Sequence, residues 1–415
     1  MTTGLPPEVE VELAPKVLGG PSRIGTLRRV GSGGGTVIGF AYDPDWIETR
    51  LAFAIDPSHG LYPGDQFPAR GLIAGIFADT SPDRWGRGLL ERRERLRAEA
   101  ESRRPRALGE WDFMLGVSDR LRMGGLRFVT ADGRYLDDDA DGVPPPARLR
   151  DLEQASREIE DPSLASRAGG AERLRLLLAP GASLGGARPK TTFSGEDGTL
   201  WLAKFPSRND RHDVGACEYL LNDLARRAGI DVPETRLLRL AGDHRTFAAR
   251  RFDRDGAERR LYASAMTLTG KQDHDDASYL DVALAIADHG APGSVAADLA
   301  QLFRRVVFNV LTAHRDDHLR NHGFLRTEGG WRLAPAFDLN PVPSLTEHQL
   351  ALDDASHAPD LDVVLETAPF YRLSASAARA IADDVRGVIA DWRGVARATE
   401  LTAAENDLLA SALPG

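Results

Sequence analysis

His314, Arg315, Asp316, Asp317, His318, Leu319, Arg320 and Asn321 follow one another, placing a carboxylate five residues before an amide. Asp316 is a candidate base for an attacking hydroxyl, and Asn321 offers an amide oxygen to magnesium. The run matches H-R-D-x-x-x-x-N, the catalytic-loop pattern of kinases. Asp338, in Ala336-Phe337-Asp338-Leu339, supplies the hard carboxylate that magnesium takes from a protein. Lys204 ends the apolar run Trp201-Leu202-Ala203. A lysine in a half-buried strand needs a partner, because burying an unpaired ammonium is costly. The phosphates of ATP would serve, and Glu218 on the next helix is placed to hold the lysine.

A glycine-rich stretch over 181–190 precedes the strand before Lys204, with Ser183, Gly185, Gly186, Ala187, Arg188 and Lys190. Glycines let a backbone approach phosphates closely, and Arg188 and Lys190 add positive charge. The stretch fits neither G-x-G-x-x-G nor G-x-x-x-x-G-K-[ST]. Phe252 is a candidate for the adenine edge. Arg250 and His318 complete the residues assigned to the nucleotide.

These groups require elements to position them. Over 20–60, GTLRRV, TVIGFAYD and LAFAID alternate as strands, separated by GSGGG and DPDWIETR, which is hairpin patterning. GSGGG lacks the lysine and the strand-to-helix setting of a phosphate cradle, so it is a hairpin loop. The segment 72–104 predicts a helix, capped by Asp79, Thr80 or Ser81 with Pro82 early. Its basic face is either solvated or suited to nucleic acid. The acidic, proline-rich stretch 132–146 reads as a linker, and it lacks the regular ligand spacing of a calcium loop.

A second module opens near 150. TLWLAKF, ETRLLRL and RTFAARRFDR predict a small sheet, with the helix DVGACEYLLNDLARRAG between them, ending on Gly229. LAQLFRRVVFNVLTAH sets Leu299, Leu302, Phe303, Val306, Val310 and Leu311 on one helical face and runs into the 314–321 loop. HGFLR and WRLAPAF predict two strands joined by TEGG, and 361–415 is mostly helical. The expected class is α+β with a protein-kinase-like bilobal core. The predicted domains are 1–148 and 149–415, the latter with a small lobe over about 175–260 and a helical lobe over about 261–415.

The chain has 415 residues, a formal charge of −10 and one cysteine, Cys217. The acidity gives no overall attraction to nucleic acid or anionic lipid. One cysteine excludes an internal disulfide and a cysteine metal cage and fits a reducing compartment. The acidic, proline-bearing start is unlike a signal peptide, and no apolar run approaches membrane-spanning length. A cytoplasmic location is expected.

At SLGGARPKTTF, LAKF, EYLLNDLARRAGIDVPE, RRFDR, FNVLTAHRDDHLRNHGF and LAPAFDL the chain resembles the HipA family, kinase toxins of bacterial toxin–antitoxin modules. GFAYDPDW and FADTSPDRWGR look like that family's N-terminal domain. The resemblance implies Asp316 as catalytic base, Asn321 and Asp338 as magnesium ligands and Lys204 on ATP. It implies that Ser183 is an autophosphorylated loop serine. It implies protein substrates such as aminoacyl-tRNA synthetases, and a small helix-turn-helix antitoxin that alone meets operator DNA. This chain departs at Arg250 and Arg251, where an acid is frequent, and at His314 and Arg315, which stand in place of an Asn-Thr-like pair.

Three other readings compete. His314, Asp316, Asp317, His318 and His322, with His274 or His289, suggest a metal hydrolase, but that leaves Lys204 and Asp338 without roles. A catalytically weak corepressor would bind ATP without transferring phosphate. A small-molecule phosphotransferase would keep the chemistry and change the acceptor.

Overall fold

A computed structural model describes residues 5–14, 23–31, 36–136, 142–161, 170–181, 188–256 and 258–413. Ser183, Gly185, Gly186 and Ala187 lie outside the described residues, as does most of GSGGG. The chain divides into two compact units, residues 1–208 with 253–263 and residues 209–252 with 264–415.

The first unit is built on an antiparallel four-stranded sheet. Its order is Val37–Tyr42, Arg23–Val30, Glu8–Leu13, Leu126–Val129. In Glu8–Leu13, Val9, Val11 and Leu13 turn to the core while the glutamates stay outside, the alternation of a sheet with one buried face. LAFAID, expected as a third strand, is irregular. Its polar groups are satisfied elsewhere: Ile55 N donates to the Tyr42 hydroxyl at 2.9 Å, and the Asp56 carboxylate accepts from Ile76 N at 2.8 Å. DPDWIETR, expected as a hairpin connection, forms the short helix Pro44–Glu48, capped by Asp43.

The predicted 72–104 helix is two helices, Gly75–Ala78 and Arg84–Ala100. The longer one is capped by Asp83, whose carboxylate accepts from Gly86 N at 2.8 Å. The expected cap residue Thr80 instead closes the shorter helix, its hydroxyl donating to Phe77 O at 2.7 Å. The helices Leu149–Glu160 and Gly170–Gly181 lead to a hairpin, Lys190–Ser194 with Leu200–Lys204, in which Lys190 stands opposite Lys204.

The second unit opens with the helix Val214–Arg227 and the hairpin Thr235–Leu238/Thr246–Arg250. It is otherwise mostly helical, with Tyr279–His289, Val295–Leu311, Ala375–Ala390, Trp392–Ala398 and Ala403–Ala412. The helix Val295–Leu311 buries more than the single stripe expected. Val307, Phe308, Arg305 and Asn309 are inside, while Val310 and Leu311 are only half-buried. Its surroundings enclose it on several sides, so its middle turns carry the burial. The hairpin Gly323–Thr327/Gly330–Leu333 follows. Gly330 is required there: a Cβ would lie 2.7 Å from Ala291 backbone atoms.

Lys190 is 2 % exposed, and its ammonium lies 2.6 Å from the Asp83 carboxylate. Burial raises the Asp83 carboxyl above its ordinary range, against the charge of Lys190. Removing one member of such a pair strands the other charge. Lys190→Met is expected to cost about 3–5 kcal/mol in urea unfolding, with much of it recovered by adding Asp83→Asn.

Candidate active site

The second unit carries the loop that follows the helix Val295–Leu311. Thr312 ends that helix and Ala313 turns with φ +50°, which carries the chain off the helix axis into His314. Asp316 is exposed and the adjacent Asp317 is buried. At the far end of the loop, Asn321 and His322 are both buried. The Asn321 side-chain nitrogen donates to the Asp316 carbonyl at 3.4 Å, which leaves its oxygen as the atom for a cation.

Asp317 and His322 anchor this loop from beneath. One Asp317 oxygen accepts from the Tyr279 hydroxyl, Asn309 Nδ2 and His322 Nε2, each at 2.8 Å. Burial pushes the Asp317 carboxyl up. The charge and hydrogen bond of His322, the charge of His314 and the Tyr279 bond outweigh it and hold the group well below the ordinary carboxylate range. His322 O also accepts from Ala265 N at 2.7 Å. Of the residues that suggested a metal hydrolase, His314, Asp317 and His322 are thus used inward. Among the described residues, no group of three or more His, Cys, Asp or Glu is arranged to hold a metal ion.

Asp338 is attached to the same loop. Val342 N donates to Ala313 O at 2.8 Å, and His314 Nδ1 lies 2.8 Å from Asn340 O. Asn340 Nδ2 donates to Asp338 Oδ1 at 3.2 Å. Asp338 holds φ +61°, a left-handed conformation that aspartate tolerates better than bulkier residues but that still costs energy. Asn340 Oδ1 and His318 Nδ1 are buried without hydrogen-bond partners among the described residues. The three residues read from the sequence, Asp316, Asn321 and Asp338, therefore sit on two loops bonded to one another. The side-chain oxygens of Asn321 and Asn340, the latter orphaned, and the Asp338 carboxylate form a donor set that suits a hard cation.

The remaining candidates are distributed as follows. Lys204, in the first unit, closes the strand Leu200–Lys204 and is half-buried. Arg188, also in the first unit, donates to Phe205 O at 3.4 Å. Glu218 is 2 % exposed, far from the open helix position that its charge suggests. Arg250 is exposed at the end of its strand. Phe252 packs on Phe337 with ring centroids 5.5 Å apart, next to Asp338. Sequence reasoning missed Tyr279, Asn309, Asn340 and Gln349 as parts of this site. Only the Asp316-Asp317 doublet hinted at a loop with one outward and one inward residue.

His348, 2 % exposed, has neither ring nitrogen hydrogen-bonded among the described residues. Burial pushes its pKa down to about 4; Asp317 opposes this, and Arg315 and His314 add to it. The fold therefore binds neutral His348, while the unfolded chain takes up its proton near pH 6.5. Stability from this group is complete above that pH and is lost as pH falls toward 4. The loss should be roughly 3 kcal/mol in urea titrations at pH 7 and pH 4, and absent in His348→Leu.

Residues 182–392 match the HipA-like C-terminal domain, and residues 16–111 match the HipA N-terminal domain. A proposed kinase of Haemophilus influenzae is 28% identical over 158 residues, 34% of this chain and 46% of that protein. The chain thus aligns with about half the length of that curated relative. A chain from the Shewanella oneidensis MR-1 toxin–antitoxin complex of HipA, HipB and operator DNA shares the fold, with TM-score 0.68 at 17% identity, covering 97% of this chain and 94% of that one. No helix among the described residues is long and apolar enough to cross a membrane. With both of its domains matched and the fold shared end to end, the chain belongs to the HipA family.

Proposed function

We propose that the chain is an ATP- and magnesium-dependent protein serine/threonine kinase of a toxin–antitoxin module. The observation that carries this reading is the exposed Asp316 carboxylate beside Asn321, on a loop hydrogen-bonded to the segment that bears Asp338. Asp316 accepts the proton of a serine or threonine hydroxyl. That oxygen bonds to the γ-phosphorus as the bond to the β–γ bridging oxygen breaks, and ADP leaves with the electron pair. Asn321 and Asp338 hold magnesium, which when bound neutralises phosphate charge. Lys204 binds the α- and β-phosphates, with Glu218 as its support, and Phe252 meets the adenine. Arg188, with Ser183, Gly185, Gly186 and Ala187, belongs to the phosphate-covering loop. Arg250 and His318 are further nucleotide contacts. Lys190 is left out, because its charge is already matched by Asp83.

We place the kinase-like domain at 149–415, with a small and a helical lobe, in the cytoplasm. Its fold relative is in complex with HipB and operator DNA. By that likeness the partner is a small helix-turn-helix antitoxin, through which alone the chain meets DNA. The acceptor is a translation protein such as an aminoacyl-tRNA synthetase, and Ser183 is an autophosphorylation site.

Purified chain incubated with magnesium and γ-labelled ATP, with and without dephosphorylated casein, tests the reading. Wild type is expected to label casein and to gain one phosphate at Ser183 by intact mass. Asp316→Asn should fold normally and transfer about 10²–10⁴-fold more slowly. Transfer by Asp316→Asn at the wild-type rate would remove the assignment of the base.

A further inference from the structure

Beyond the loop itself, a second segment reaches the candidate base. Gln349 Nε2 donates to Asp316 Oδ1 at 2.5 Å. Gln349 N donates to the neighbouring Arg315 carbonyl at 3.0 Å. The Arg315 guanidinium returns the contact, donating to the Pro343 and Leu345 carbonyls. Residues 343–349 are therefore tied to residues 315 and 316 at both ends. The C-terminal end is also fixed from behind: His348 is buried, its N donates to His357 O at 2.8 Å, and His357 Nδ1 lies 2.8 Å from His348 O. Between these anchors, Ser344, Leu345, Thr346 and Glu347 are exposed.

We propose that Gln349 is a positioning residue for phosphoryl transfer; this rests on the kinase reading above. A carboxylate held at one oxygen has a fixed plane, so its other oxygen is presented to an incoming hydroxyl. The amide suits this task because it donates to the carboxylate through nitrogen and keeps its own oxygen to accept from an acceptor backbone N–H. Positioning of this kind counts because small misplacements of a reacting group are costly in rate. The backbone bond from Gln349 N survives any side-chain replacement, so the segment stays in place when the amide is removed. The exposed side chain makes these variants well suited to folding normally.

Gln349→Met and Gln349→Glu keep the length of the side chain and lose the donor. We expect kcat for labelling dephosphorylated casein to fall at least tenfold in both. The KM for ATP should stay within twofold, and thermal midpoints should match wild type. Gln349→Asn, which keeps an amide one methylene shorter, should recover part of the rate. A rate equal to or above wild type in Gln349→Met would overturn the inference, because it would make the contact neutral or obstructive. So would a parallel rise in the KM for ATP, which would place Gln349 in nucleotide binding. Failure of wild type itself to transfer phosphate would remove both the kinase reading and this inference, whereas an active wild type with active Gln349 variants would remove only the latter.

Discussion

A buried carboxylate with three donors on one oxygen governs the architecture around the site. Asp317 lies inside the second unit, where an isolated charge would be costly. Tyr279, Asn309 and His322 make it tolerable, and each donor comes from a different part of the unit. Tyr279 belongs to the helix Tyr279–His289, Asn309 to Val295–Leu311, and His322 to the far end of the loop itself. A satisfied buried polar network selects one arrangement over its neighbours, since any other leaves charged or polar groups unpaired. Because Asp316 and Asn321 each precede a member of this network, fixing Asp317 and His322 fixes the backbone from which Asp316 emerges and on which Asn321 sits.

The segment around Asp338 adds a second constraint. Its left-handed conformation is held by bonds made just after it, through Asn340 to His314 and through Val342 to Ala313. His314 and Arg315, where the resemblance implied an Asn-Thr-like pair, precede Asp316. Both engage the 338–349 segment, His314 at Asn340 and Arg315 at Pro343 and Leu345. The departure therefore concerns how the two loops are joined, and leaves the groups suited to chemistry unchanged.

Much of this was legible in the sequence. The H-R-D-x-x-x-x-N run after an amphipathic helix located the loop, and HGFLR-TEGG-WRL located the hairpin that returns the chain to Asp338. Spacing conveys which residues share a loop, so Asp316, Asn321 and Asp338 could be read. It does not convey which of two adjacent aspartates turns inward. That depends on donors far away in sequence, Tyr279 and Asn309. For the same reason His314, Asp317 and His322 looked like metal ligands, and Glu218 looked equally suited to solvent. In the first unit, LAFAID alternates as a strand does, but its backbone is satisfied by Tyr42 and its Asp56 is taken by Ile76. Local pattern was overridden there by tertiary hydrogen bonds. Asp83 was passed over as a cap because Asp79, Thr80 and Ser81 offered earlier candidates of the same chemistry.

Asp317 and His322 act as one unit in holding the 314–321 loop. A double-mutant cycle of Asp317→Asn and His322→Leu, followed by urea unfolding at pH 7, measures this directly. The two losses are expected to fall short of additive, with a coupling energy above about 1 kcal/mol. Strict additivity of the two substitutions would contradict it.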